Sequence, residues 1–300
     1  MSYVLTLVAS DIPLTTGHLA RAQAYLDSHG IAPAGPSVWL SPHKAADIPL
    51  AARPHFEQMQ ALRRGMDDDH IDVLVSNGNS RKKTLFFADM DSTIVTTETL
   101  DELAILAGVG NEVAAMTQKT MNGTMDFFEA IRARVALIKG LPETKLKEIL
   151  DNTPLSPGAE ITLQVMKRKG VHSSLVSSGF TYFTAGIAAR CGFDDHFGNL
   201  LEIENGALNG KVTEPILDKA AKLATVKAKA MEFGCDLNQT LAIGDGSNDI
   251  PMLQAAGIGI GYKPRPLVAE TIDNLIIHTD LTTVLYVQGY TDADIRSVMN

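Results

Sequence analysis

From residue 84 onward, short apolar runs recur at 84–88, 171–176, 240–243, 257–261 and 274–277, with helix-like segments between most of them. Strands alternating with helices constrain a chain to a parallel sheet with helices on both faces. The exception is 98–150, a long and largely helical stretch without a clear strand. An insertion of that size between the first and second strands predicts a separate cap.

The first eighty residues have a different texture. "YVLTLV" at 3–8 reads as a strand, and 16–28 as a helix with Leu19, Ala22, Tyr25 and Leu26 on one face. "PSVWL" and "ADIPLA" suit short strands, 54–65 a second helix, and "IDVLVS" at 71–76 a closing strand. That order, βαββαβ, is the small ferredoxin-like α+β pattern, although Pro49 weakens the third strand. "SNGNSRKK" at 76–83 is polar and aperiodic and reads as a solvated linker. The expected division is 1–78 and 79–300, with the cap at about 98–153 inside the second unit.

Composition narrows the function classes. With 45% hydrophobic residues the chain can bury a substantial core, and a net charge of −9 disfavours nucleic acid or an anionic membrane as a general partner. Two cysteines in unrelated contexts, Cys191 and Cys235, argue against a disulfide framework and fit a reducing cytoplasm. "MSYVLTLVASDIPL" has no basic leader, and no apolar run reaches membrane-spanning length.

Ligands of open parallel sheets sit outside the carboxyl ends of the strands, and three of those ends carry unusual residues. "LFFADMD" ends in Asp89 and Asp91, "SLVSSGF" in Ser177, Ser178 and Gly179, and "LAIGDGSND" in Gly244, Asp245, Gly246, Ser247, Asn248 and Asp249. Each alone has an ordinary reading as a turn or a helix cap. Together they bring four carboxylates to one edge, which repel unless a cation joins them. A divalent metal with hard oxygen ligands, Mg²⁺ with a substrate phosphate, resolves the repulsion. The Ser-Ser-Gly end suits phosphate oxygens. A lysine would complete the charge balance. Lys222 lies in the basic segment "DKAAKLATVKAK", where position alone gives it no preference over Lys219, Lys227 or Lys229.

"DMDSTIV", "SSGF", a lysine and "GDGSNDIPML" resemble, in order, the four motifs of the haloacid dehalogenase superfamily of phosphotransferases. Over about 84–280, "DMDSTIVTTETLDELA", "MTQKTMNGTMDFFEAIRARVALIKGLP" and "GDGSNDIPMLQAAGIGIGY" look like the members that hydrolyse phosphoserine. Ser247 stands where those members usually have Ala, a small change in a turn. The resemblance implies a Rossmann-like parallel sheet with a helical cap and an Mg²⁺-dependent hydrolysis of phosphoserine to L-serine, the last step of serine synthesis. Asp89 would be the nucleophile that becomes an aspartyl-phosphate, and Asp91 the general acid and base. Mg²⁺ would be held by the Asp89 carboxylate, the Asp91 carbonyl and Asp245. Ser177, Ser178, Lys222 and Asn248 would bind the phosphate side, with Asp249 in support. From the cap, Glu98 would take the substrate ammonium and Arg134 its carboxylate, with Met121 and Phe127 closing apolar surface over them. Taken without the resemblance, Arg134 is no better placed than Arg132, and Glu98 is an ordinary first-turn acid. The alternative is a phosphotransferase or phosphatase of the same superfamily acting on another small ester such as phosphohomoserine. The N-terminal pattern resembles ACT-like amino-acid-binding domains, which implies a serine-sensing module or a homodimer surface as alternatives to plain packing.

Overall fold

The computed structural model describes residues 3–121 and 125–298. Its N-terminal unit runs β1 (Tyr3–Ala9), α1 (Thr16–Ser28), β2 (Val38–Ser41), β3 (Ala45–Leu50), α2 (Phe56–Arg64) and β4 (Ile71–Asn77). The four strands form an antiparallel sheet in the order β2-β3-β1-β4, the ferredoxin-like arrangement. Pro49 lies within β3, opposite Val4 of β1. The Pro49 carbonyl accepts the Ala34 N–H at 2.8 Å on the side away from β1. A strand residue points its nitrogen and its carbonyl the same way. The missing donor therefore faces away from β1, where β2 has already ended, and no ladder bond is lost.

The second unit opens with β5 (Leu85–Ala88), followed by the cap helices α3 (Thr99–Leu106), α4 (Gly110–Met121), α5 (Phe127–Leu137) and α6 (Glu143–Asn152). The chain returns through α7 (Ala159–Arg168) to β6 (His172–Phe180), α8 (Thr181–Cys191) and β7 (Asp195–Asn199). A hairpin of β8 (Leu201–Glu204) and β9 (Ala207–Val212) precedes α9 (Lys219–Glu232), β10 (Thr240–Gly244) and α10 (Ile250–Ala255). The chain ends with β11 (Ile258–Tyr262), α11 (Pro266–Ala269), β12 (Asn274–Ile276), α12 (Thr283–Val287) and α13 (Asp292–Arg296).

Six strands pair in parallel in the order β12-β11-β10-β5-β6-β7. β5 comes first in sequence yet lies inside the sheet, so the chain winds one way to β6 and β7 and the other way to β10, β11 and β12. The ends of β5, β6 and β10 are therefore neighbours at the switch point, where a crevice opens. β7 and the β8–β9 hairpin have no counterpart in the sequence reading. "DHFGN" is a polar edge strand without an apolar run. The hairpin rests on the cap, where the Gly140 N–H donates to the Leu208 carbonyl and the Leu208 N–H to that of Leu141.

β5 is buried on both faces, which explains its unbroken "LFFA". Leu85 and Phe87 pack with Val176, Val226, Ala242 and Met252 on one side of the sheet. Phe86 and Ala88 pack with Leu175, Phe183, Leu241 and Ile243 on the other. Burying each Phe contributes about 2–3 kcal/mol of transfer free energy, enough to fix the strand that carries Asp89.

The residues after β4 are not a solvated linker, which corrects the expectation for 76–83. Arg81 is largely buried, with Nη1 donating to Asp47 Oδ2 at 2.5 Å and Nη2 to Thr6 Oγ1 and to the Tyr286 carbonyl, each at 3.1 Å. Lys83 is buried too, and its ammonium donates to the carbonyls of Ser80 and Asn238; burial pulls its pKa down to about 8. Across the same seam, the Asp72 carboxylate accepts the N–H groups of Ile277, His278 and Thr279. The Asn274 side chain pairs with both backbone groups of Val75, which covers the edge of β4. No helix among the described residues is long and apolar enough to cross a membrane.

Candidate active site

A cavity of about 200 Å³ opens where β5, β6 and β10 end beneath the cap. β5 stops at Ala88, and Asp89 is the first residue beyond it. The Asp89 N–H donates to the Ile243 carbonyl, which keeps the residue in line with β10. The chain then turns tightly through Met90–Ile94, with Ser92 at φ +55°. Met90, between the two acids, already leaves the extended backbone of β5, so Asp89 and Asp91 do not share a strand face.

Asp89 Oδ1 accepts the Met90 N–H and lies 2.8 Å from Lys222 Nζ. The same ammonium is 2.7 Å from Asp249 Oδ1, and Lys222 and Asp249 are both completely buried. Burial by itself would lower the Lys222 pKa, but the charges of Asp249 and Asp89 outweigh it and hold the ammonium protonated well above its ordinary range. Burial pushes Asp249 well above the usual carboxylate range, with the Asp89 charge adding to the rise.

The choice among the lysines is thereby settled by geometry. Lys219 and Lys227 are exposed, and Lys229 pairs with Asp195 and Glu232 at the other end of the sheet. A signal was present in the sequence. Lys222 shares an i, i+4, i+8 stripe with Val226 and Ala230, so it sits on the apolar face of α9.

Asp245 follows β10, and its carboxylate belongs with those of Asp89 and Asp249 to a buried group whose ligand atoms lie within 4.8 Å of one another. Burial, reinforced by the Asp89 charge, lifts Asp245 to about 6. Such a set of hard oxygen donors fits a divalent cation and no soft one. Gly244 is required here, because a Cβ on it would lie 2.4 Å from Asp249 Cγ.

Asp91 turns away from this group. Its Oδ1 accepts the Thr99 N–H at 2.9 Å, and burial, then the nearby Glu98 charge, raises its pKa to about 8. A Cβ at Gly179 would come within 2.8 Å of Asp91 Oδ2, so only glycine lets the end of β6 approach this acid. Ser177 Oγ accepts the Gly179 N–H at 2.8 Å. The Ser178 hydroxyl is buried without a hydrogen-bond partner among the described residues, and Ser178 and Thr99 both line the cavity. Asn248 lines it as well, and so does Ser247 from an exposed position in the turn.

From the cap, α5 presents Phe127, Ile131 and Arg134 to the cavity on one helical face. Arg134 donates to Thr117 Oγ1, and burial lowers its pKa from the ordinary value. Arg132 points elsewhere and pairs with Glu214 on the surface. Glu98 lines the cavity too, and burial raises its pKa above the usual carboxylate range. Met121 is the last residue of α4, and its side chain lies outside the described part of the structure.

Among the cavity residues that sequence reasoning did not single out, one is charged. Arg265, just before α11, donates through Nη2 to Glu98 Oε1 at 2.6 Å and through Nε to Asp245 Oδ2 at 3.2 Å. It follows the end of β11, a strand whose terminus carries no acid to draw attention.

The family model for haloacid dehalogenase-like hydrolases matches residues 86–254, more than half of the chain. The chain belongs to that family. Among haloacid dehalogenase-like hydrolases of known kind, it is 37% identical over 239 residues to phosphoserine phosphatase SerB2 of Mycobacterium tuberculosis, covering 79% of this chain and 58% of that relative. This hydrolase chain thus spans little more than half the length of the mycobacterial protein. A solved hydrolase of the family from Salmonella enterica superposes with a TM-score of 0.85 at 27% identity, over 96% of this chain and 98% of that one. A phosphoserine phosphatase solved as an analogue of its phospho-aspartyl intermediate superposes with a TM-score of 0.64 at 36% identity. That match covers 68% of this chain and 98% of the solved one.

Proposed function

We propose that this chain is an Mg²⁺-dependent phosphoserine phosphatase, hydrolysing O-phospho-L-serine to L-serine and phosphate in the last step of serine synthesis in the cytoplasm. The observation that carries the reading is Asp89, a buried carboxylate lining the cavity, held beside the buried Lys222 ammonium at 2.8 Å. Its relatives at 36–37% identity bear that activity in their names.

Asp89 attacks phosphorus in line with the serine oxygen, forming an aspartyl-phosphate as the ester bond breaks. Asp91, with its raised pKa, carries a proton at neutral pH and gives it to the departing serine oxygen. It then takes a proton from the water that attacks the acyl-phosphate, which returns Asp89 as a carboxylate. Lys222, Ser177, Ser178 and Asn248 bind the phosphoryl oxygens. Asp89, Asp245 and the Asp91 backbone carbonyl would hold Mg²⁺, supported by Asp249, and the ion supplies neutralisation of phosphate charge. Arg134 pairs with the substrate carboxylate through its planar fork, and Glu98 takes the ammonium. Phe127 closes apolar surface over them. We take 1–78 as an ACT-like unit, 79–300 as the phosphatase unit with its cap at about 98–153, and the N-terminal unit as the route to a homodimer.

The test is phosphate release by the purified protein with Mg²⁺ across a panel of phosphorylated amino acids and sugar phosphates. Phosphoserine should give the highest kcat/KM. Faster turnover of sugar phosphates would overturn the substrate assignment, and phosphohomoserine formed when homoserine is added would identify a phosphotransferase instead.

A further inference from the structure

Arg265 joins two carboxylates to which the proposed function gives different tasks. Its neighbours hold it firmly. Pro264 and Pro266 flank it, and it adopts the extended backbone that precedes a proline, φ −66° and ψ 157°. Its N–H donates to the Asp245 carbonyl at 3.0 Å, which ties the loop after β11 to the end of β10. From this base the guanidinium reaches Asp245 with Nε and Glu98 with Nη2. Ser92 Oγ donates to the same Glu98 oxygen, Oε1, at 2.9 Å. Both described contacts of the Glu98 side chain thus fall on Oε1, and Oε2 is the oxygen left to accept from a ligand ammonium. Asp245 and Glu98 repel each other, and the guanidinium lies between them.

We infer that Arg265 is the positioning residue for the amino end of the substrate, fixing Glu98 to receive an ammonium at the expense of metal affinity at Asp245. This inference rests on the proposed function. The two consequences have opposite signs, because the same positive charge that steadies Glu98 also opposes a cation at Asp245. A residue that merely held the loop together would weaken both subsites when removed.

Arg265→Ala tests this, with Arg265→Lys beside it and thermal melting to establish that both are folded. For phosphoserine, the alanine variant should raise KM about tenfold while kcat changes less than about twofold, the signature of lost ground-state binding. For the analogue with hydrogen in place of the ammonium, KM should stay within about twofold of wild type. Calorimetric titration of Mg²⁺ without substrate should show tighter binding in Arg265→Ala. Lysine keeps the charge but cannot span both acids, so it should restore wild-type metal affinity and only part of the phosphoserine KM. Parallel KM changes for the two esters, or weaker Mg²⁺ binding in the alanine variant, would overturn the inference while wild type still turns over phosphoserine. A wild type inactive on phosphoserine would instead remove the reading beneath it.

Discussion

The chain buries charge in two places, and the two are built differently. At the seam between the N-terminal sheet and the rest of the molecule, Arg81 meets Asp47, and the Asp72 carboxylate is matched by backbone N–H groups and the Thr279 hydroxyl. Each charge there has its partner within the chain. At the switch point of the parallel sheet, the five acids Asp89, Asp91, Glu98, Asp245 and Asp249 share the cations Lys222, Arg265 and Arg134 among the described residues. The Ser178 hydroxyl also has no hydrogen-bond partner among the described residues. A cluster built for packing satisfies itself, and one built for a ligand is completed by it.

The largest expected effect separates the two clusters by activity. Asp89→Asn should lower kcat for phosphate release at least a thousandfold, by roughly the factor a lost nucleophile costs. The melting temperature should not fall, because a neutral amide relieves repulsion with Asp245 and Asp249 and can still accept from Lys222. Residual turnover near wild type would remove Asp89 from the nucleophile's role.

Next comes the converse change at the seam. Arg81→Ala leaves Asp47 buried and unpaired and should cost about 3 kcal/mol of unfolding free energy in urea denaturation. The folded fraction should keep its kcat. A lost kcat in fully folded protein would show that the seam communicates with the site.

The third effect is the pH dependence of the metal-free protein. Asp91 and Asp245 are lifted from 3.8 to about 8 and about 6, so each binds its proton more tightly when folded than when unfolded. That stabilisation is complete below the ordinary carboxylate value and is lost as pH climbs through the folded one. With a chelator present, urea midpoints should therefore fall between about pH 4 and pH 8, and Asp91→Asn should flatten the upper part of the fall. Identical pH profiles for wild type and Asp91→Asn would contradict the raised pKa.

Much of this contrast was legible before any coordinates. Buried parallel strands are continuous apolar runs, so the acids and serines after "LFFA", "SLV" and "LAI" stood out as strand ends, and family motifs gave them roles. What stayed hidden depends on contacts across long sequence separations. Arg81 looked like part of a polar linker because Asp47 and the carbonyls of α12 meet it only through docking of the two units. Arg265 drew no notice, because the strand end it follows carries no acid. β7 was missed because an edge strand can be polar. Arg132 and Arg134 are two residues apart on one helix, and the direction of the cap decides between them.

The smallest effect concerns a single hydroxyl. Ser178→Ala removes a buried oxygen without a partner, so stability should stay within about 0.5 kcal/mol of wild type. KM for phosphoserine should rise several-fold. A clear loss of stability with unchanged KM would make Ser178 a packing residue like those of the seam.

The central claim is that the surplus of buried acid serves phosphoryl transfer through Asp89. Acid-quenching the enzyme during turnover of phosphoserine with Mg²⁺, followed by peptide mapping by mass spectrometry, tests it directly. The account predicts a phosphoryl group on Asp89 that is absent without Mg²⁺. Phosphate found on another residue, or steady turnover with no phosphorylated peptide at any quench time, would contradict it.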